Sequence, residues 1–222
     1  PQNRGAERSR SIPDILEEVH ELVQQGVREV TLLGQIVTSY GRGQIGFQSG
    51  KSPFVQLLEA LQGVSELERI RFTSPHPRGF KQDLVEAYRD LPKLCEYVHL
   101  PLQSGSDKIL KAMNRPYSSA RYLQIVEDLR RVVPDMYFST DIIVGFPGET
   151  HEDFLATKAL FEKIRFDMAF IFKYSPRSGT PAASLEGAVP ETEKELRNQA
   201  LLEVLAQHSE RRNSSLVGTV QE

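Results

Sequence analysis

Five short runs rich in apolar, β-branched and aromatic residues recur along the chain, over residues 29–37, 69–75, 97–103, 137–146 and 167–175. Segments of helical period separate them. Ile15, Leu16, Val19, Leu22 and Val23 share one face after Pro13, and Leu123, Ile125, Val126 and Leu129 do so before Pro134. Phe154, Leu155, Leu160, Phe161 and Ile164 line a third such helix. The starts of the runs lie 40, 28, 40 and 30 residues apart, close to the about 30 residues of one βα unit in a (β/α) barrel. Strands joined by helical crossovers predict an α/β fold with a parallel sheet, curved or open, and ligands at the carboxyl ends of its strands.

The fourth run carries the most local detail. Ile142, Ile143 and Val144 suit a strand covered on both faces, and Gly145 permits a close approach to its backbone. Gly148, Glu149 and Thr150 then open a helix, whose first N–H groups favour polar or anionic ligand atoms. Just past the five strand ends, or at them, stand Gln35 and Thr38, Ser74 and His76, Gln103, Ser104 and Ser106, Asp141, and Ser175 and Arg177. A rim of mostly neutral hydrogen-bonding groups suits a polar organic ligand such as a nucleoside. A Ser-His-Asp set, a P-loop lysine and a metal-ligand spacing are all missing, so hydrolase and kinase readings find no support. Chemistry on such a rim has to come from a bound cofactor.

Asp141 stands in an apolar strand, where an unpartnered carboxylate is costly, so it is expected to face the mouth of the barrel. His99, inside a strand, reads as a satisfied core histidine, and His76, between two prolines, is the better site candidate. His20, His151 and His208 read as surface residues on helices. The segment 41–52, with four glycines and two serines, reads as a surface loop, and 191–212 as a long polar helix. Ahead of the first helix, Arg4 to Arg10 packs four charges into seven residues, which is a solvated linker or a grip for a carboxylate or phosphate.

Composition narrows the classes. The 222 residues, 39% hydrophobic and 26% charged, suffice for one sizeable core. A net charge of −3 argues against a strongly basic nucleic-acid surface on this segment. No apolar run approaches the roughly 20 residues of a membrane span, so a cytoplasmic protein away from membranes is expected. The single cysteine, Cys95, excludes an intrachain disulfide and cannot alone hold a tetrahedral metal or an iron-sulfur cluster. It reads as a small buried residue. Both ends look cut: the chain starts at Pro1, and an alternating pattern over 216–222 stops without a partner strand.

Seven separated motifs then agree with one family in their order. They are Arg4-Gly5-Ala6-Glu7-Arg8-Ser9-Arg10, Leu32-Leu33-Gly34-Gln35, Arg71-Phe72-Thr73-Ser74-Pro75-His76-Pro77, the stretch from His99 to Asp107, Met113-Asn114-Arg115, the stretch from Asp141 to Thr150, and Ser178-Gly179-Thr180-Pro181-Ala182. On these motifs the chain resembles the radical S-adenosylmethionine (SAM) methylthiotransferases, most closely the MiaB type that modifies tRNA. Val217-Gly218-Thr219-Val220 resembles the opening of the RNA-binding TRAM domain that follows the barrel in that family. Ile36 departs from the usual asparagine, and Ser178 from a common proline.

The resemblance implies a partial (β/α) barrel of the radical SAM type, with five of its parallel strands present. It implies a core over 1–212 without the first strand and cluster loop, and a TRAM-like start over 213–222. It also implies SAM cleaved to a 5′-deoxyadenosyl radical, and two [4Fe-4S] clusters whose cysteine ligands are absent from this chain. The family's CxxxCxxC loop is expected just upstream of Pro1. The implied reaction adds a methylthio group to C2 of N6-isopentenyladenosine beside the tRNA anticodon, in the anticodon stem-loop. Mapped by position, Gln35, Ser74, Gln103, Ser104, Asp141 and Gly145 surround SAM, with Glu7 and Arg8 near it; no catalytic residue is assigned. A monomer, inactive as this segment, is expected. A cluster-less relative that binds nucleoside or tRNA, or a methylthiotransferase acting on ribosomal protein, are the alternatives.

Overall fold

The computed structural model describes residues 8–220, which divide into two compact units, 8–98 with 128–136, and 99–127 with 137–220.

In the first unit, helix α1 (Ile12–Gln24) starts where Ser11 caps the Asp14 amide and Pro13 occupies the first turn. It buries Val19 and Val23, two residues of the apolar face seen in the sequence. Strand β1 (Glu29–Leu32) pairs in parallel with β2 (Arg69–Phe72) through helix α2 (Pro53–Gln62), which buries Phe54, Val55, Leu57, Leu58 and Leu61. The register sets Glu29 opposite Arg69, and its carboxylate accepts from Arg69 Nε at 2.7 Å and Arg71 Nε at 3.0 Å. Helix α3 (Gln82–Asp90) adds Tyr88, whose ring meets Phe72 in a tilted contact at 6.1 Å, while Phe54 meets Phe72 edge-on at 5.1 Å. The loop 41–52 forms no helix or strand, yet it is tied down: the Gly41 amide donates to Ser9 Oγ at 2.9 Å and Tyr40 Oη to Arg10 O at 2.7 Å.

The second unit holds a three-stranded parallel sheet ordered β3 (Tyr97–His99), β4 (Tyr137–Val144), β5 (Met168–Lys173), the division between the units falling within β3. Short helix α4 (Asp107–Ala112) and helix α5 (Ser119–Val132) lead from β3 to β4, and α6 (His151–Ile164) leads from β4 to β5. Helix α7 (Glu191–Leu216) follows β5. One face of β4 is fully buried through Phe138, Thr140, Ile142 and Val144. Beside it, Tyr122 of α5 donates to Leu100 O at 2.6 Å, and its ring meets Phe166 edge-on. Burial of side chains of this size contributes about 1.5–3 kcal/mol each.

All five expected strands are present, in two sheets rather than one. The reason lies just before β3: the Ile70 amide donates to Lys93 O and Ile70 O accepts from Cys95, so residues 93–95 take up β2's hydrogen bonds as an isolated bridge. β3 is also shorter than its apolar run. Pro101 has no amide to give to a ladder, and pairing resumes only as a bridge between Gln103 and Ile142. The polar helix runs beyond residue 212, to Leu216, and Val217 to Val220 form no strand.

Candidate active site

Parallel register places Ser139, Asp141 and Ile143 of β4 directly beside Met168, Phe170 and Phe172 of β5. Paired residues project to the same side, so these six share the face opposite the buried one. His99 joins them from β3, its Nδ1 2.8 Å from Ser139 Oγ and its Nε2 3.3 Å from Asp141 Oδ2. The histidine is therefore partnered as the sequence suggests, but its partner is the carboxylate of the site, which a strand pattern cannot reveal. A cleft of about 590 Å³ opens on this face, lined by Gln103, Asp141, Ile143 and Phe172, by Lys173, Tyr174, Ser175 and Arg177 at and after the end of β5, and by Thr180 and Ala182.

Gln103 reaches the cleft because its backbone turns into the left-handed region, with φ 67°, and is clamped there. Its amide donates to Asp141 O at 2.8 Å and its carbonyl accepts from Ile143 N at 2.9 Å. The next residue then points elsewhere: Ser104 is fully buried, its hydroxyl 3.2 Å from Thr157 Oγ1 on α6. Gly105 lies so close to α6 that a Cβ on it would stand 2.6 Å from Thr157 Cα.

At the end of β4, Gly145 has φ 74°, and the aliphatic chain of Lys194 from α7 fills the space a side chain would need. What approaches this backbone is thus α7. The Gly145 amide donates to Glu149 Oε2 at 2.7 Å, and the same oxygen accepts from Arg197 Nη1 at 2.6 Å. Burial pushes the Glu149 carboxyl up against the opposing pull of the Gly145 amide and Arg197. The N-terminus of α6 is closed by its own side chains. Thr150 and Asp153 form a capping box, and Asp153 also accepts from Ser106 Oγ at 2.7 Å and pairs with Lys108 at 2.6 Å. This corrects the expectation of N–H groups there awaiting an anionic ligand: a carboxylate of the chain has taken the place.

In the first unit, Gln35 and Ser74 lie exposed beyond β1 and β2, Ser74 with φ 56° and its carbonyl accepting from Val37 N at 3.3 Å. His76 Nδ1 accepts from the Arg78 amide at 3.2 Å, capping a 3₁₀ turn. Arg8 is exposed, and Glu7 lies outside the described residues. Of the eight expected cofactor residues, the cleft thus joins Gln103 and Asp141. Sequence reading missed Lys173 and Tyr174, for which the end of the last apolar run was the available signal. Lys173 is held by Glu195 at 2.5 Å and Glu191 at 2.9 Å, which push its ammonium up to about 12. The Tyr174 hydroxyl is buried with no hydrogen-bond partner among the described residues.

The sequence profile of the Radical SAM superfamily matches residues 1–161. The chain belongs to the radical SAM superfamily. It is 64% identical over all 222 residues to tRNA-2-methylthio-N(6)-dimethylallyladenosine synthase of Opitutus terrae, and 57% identical to the synthase of that name from Akkermansia muciniphila. It covers 46% and 48% of those proteins, so the chain spans about half the length of the curated relatives it matches. Among solved structures, coproporphyrinogen III oxidase from Escherichia coli, a radical SAM enzyme, superimposes with a TM-score of 0.63 at 16% identity, over 89% of this chain and 46% of its own. Methylornithine synthase does so with 0.54 at 15%, over 90% and 56%. The fold class is therefore the expected one, the partial (β/α) barrel of the radical SAM type.

The two groups this superfamily implies fit the chain differently. A cleft that joins the Asp141 carboxylate and the Gln103 side-chain amide with Ser175 and Thr180 suits the amino-acid and ribose groups of SAM. A [4Fe-4S] cluster has no home in these residues. Cys95 is the one cysteine of the sequence, and burial pushes its thiol up, away from the thiolate a cluster needs. Among the described residues no group of three or more His, Cys, Asp or Glu side chains could hold a metal ion.

Proposed function

We propose that the protein carrying this chain is a tRNA methylthiotransferase, which adds a methylthio group to C2 of N6-dimethylallyladenosine next to the anticodon by radical SAM chemistry. The observation that carries this reading is 64% identity across every residue of the chain to a tRNA-2-methylthio-N(6)-dimethylallyladenosine synthase. When bound, SAM with its cluster supplies the radical that activates the substrate C–H bond, and a second cluster supplies sulfur. The residues of this chain bind and orient. Asp141 and Gln103 hold polar groups of SAM, and His99 fixes the Asp141 carboxylate.

Residues 1–212 form the catalytic core in this reading, and 213–222 begin a TRAM-like RNA-binding domain. The cluster cysteines belong to parts of the protein that this chain does not cover, so the 222 residues alone do not catalyse the reaction. The protein acts as a cytoplasmic monomer; no described helix is long and apolar enough to cross a membrane.

The test is anaerobic reconstitution of the full-length protein, followed by mass spectrometry of nucleosides from tRNA that carries N6-dimethylallyladenosine. Iron and sulfide for two clusters, with SAM-dependent formation of the methylthio nucleoside, is expected. Methylthiolation of ribosomal protein instead of tRNA would overturn the substrate assignment. A full-length protein without cluster cysteines would make it a binding relative and not an enzyme.

A further inference from the structure

Phe170 and Phe172 are 46% and 51% exposed although they sit in a parallel strand. Their rings stack, with centroids 6.5 Å apart and an interplanar angle of 14°. They lie on the same face as Asp141, their cross-strand neighbours being Asp141 and Ile143. Phe172 lines the cleft, and His99, which holds Asp141, meets Phe170 edge-on at 6.2 Å. The strand therefore sets two aromatic plates beside the polar group most suited to holding a cofactor. Contiguous apolar surface rimmed by polar groups marks a place where a ligand covers it.

The ligand's chemistry follows from the division of that face. SAM is a charged sulfonium amino acid whose apolar surface is mainly its adenine, and it is served by the carboxylate, amide and hydroxyls. Two phenylalanines with Ile143 ask for more apolar area than that, in the form of a flat base bearing a branched hydrocarbon. We infer that Phe170 and Phe172 recognise the apolar N6 substituent of the substrate adenosine, and so decide which adenosines enter the site. The inference rests on the tRNA methylthiotransferase reading and assigns its specificity to two residues of β5.

The experiment uses the full-length protein and two fluorescent anticodon stem-loop RNAs, with and without the dimethylallyl group on N6. Affinities for both are measured by anisotropy, and affinity for SAM by calorimetry. Phe170→Ala and Phe172→Ala are expected to weaken binding of the substituted RNA by roughly tenfold, the loss of one apolar contact, while binding of the unsubstituted RNA stays unchanged and, in Phe170→Ala, whose side chain is not part of the cleft lining, so does binding of SAM. Phe172→Leu, which keeps an apolar side chain, is expected to fall between. The half-exposed positions predict unchanged melting temperatures. Equal losses on both RNAs, or unchanged binding of the substituted RNA, would overturn the inference. A loss of SAM affinity in Phe170→Ala would assign that ring to the cofactor and overturn it too. A wild-type protein that ignores the substituent and does not methylthiolate would instead overturn the reading beneath it.

Discussion

Asp141 sits on an open strand face with His99 Nε2 at 3.3 Å, so the chain has met one side of the carboxylate and left the other to the cleft. Replacing Asp141 or Gln103 by alanine in the full-length protein should weaken SAM binding by about 1–3 kcal/mol each, the cost of losing a buried polar partner. Calorimetry in which both variants bind SAM as the wild type does would place the cofactor elsewhere. Asp141 was legible because a carboxylate in an apolar strand needs a reason. Ser104 shows where such legibility stops. It follows Gln103 directly in a polar run, but the left-handed turn at Gln103 sends it under α6 to Thr157. Backbone reversals at residues other than glycine leave no mark in a motif, and neither does the His99–Asp141 contact, which joins positions 42 residues apart.

At the scale of elements, α7 reaches the β4 corner through a buried ion pair. The Arg197 and Glu149 side chains are 6% and 1% exposed, and the same guanidinium also bonds Glu193 Oε1 at 3.0 Å. Arg197→Met leaves the Glu149 carboxyl buried beside one backbone amide and should cost about 3–5 kcal/mol in chemical denaturation. Adding Glu149→Gln should recover part of that loss, because the uncompensated charge is gone; a double variant no more stable than Arg197→Met would show that packing, not charge, set the cost. A second pair of elements yields a pH dependence. Burial opposes ionisation of Asp153, but Lys108, the Thr150 amide and Ser106 outweigh it and hold the carboxyl well below the usual range. A folded-state value below the unfolded one, near about 3.9, stabilises above that pH and loses its effect as pH falls through it towards the folded value. Asp153→Asn should therefore be less stable than the wild type at neutral pH, with the gap closing below about pH 4. A gap constant from pH 7 to pH 3 would remove the charge from the explanation. The sequence showed α7 as a solvated polar helix, and its low amphipathicity hid Arg197, whose partner lies 48 residues away.

For the molecule as a whole, the spacing of apolar runs disclosed five parallel strands and their crossovers, because each run must bury β-branched residues on a sheet. The split into two sheets was not legible, since the bridge from Ile70 to Leu94 depends on backbone direction and not on side-chain pattern. Charge, too, is legible at this scale. Arginines that punctuate the first unit are largely spoken for: Arg69 and Arg71 by Glu29, Arg89 by Asp90. In the second unit Lys108, Lys173 and Arg197 are likewise paired. With a net charge of −3 and so many cations neutralised internally, this chain has little to exchange for the counterions of an RNA backbone. The 222 residues should bind tRNA weakly, with a shallow dependence of affinity on salt. Extending the chain through the proposed TRAM-like domain should tighten binding and steepen that dependence, because each added phosphate contact releases counterions. Filter binding across a salt titration checks this. Equal affinities and equal slopes for the two proteins would mean that the barrel itself grips the RNA, and that the cations paired here exchange their carboxylate partners for phosphate when tRNA arrives.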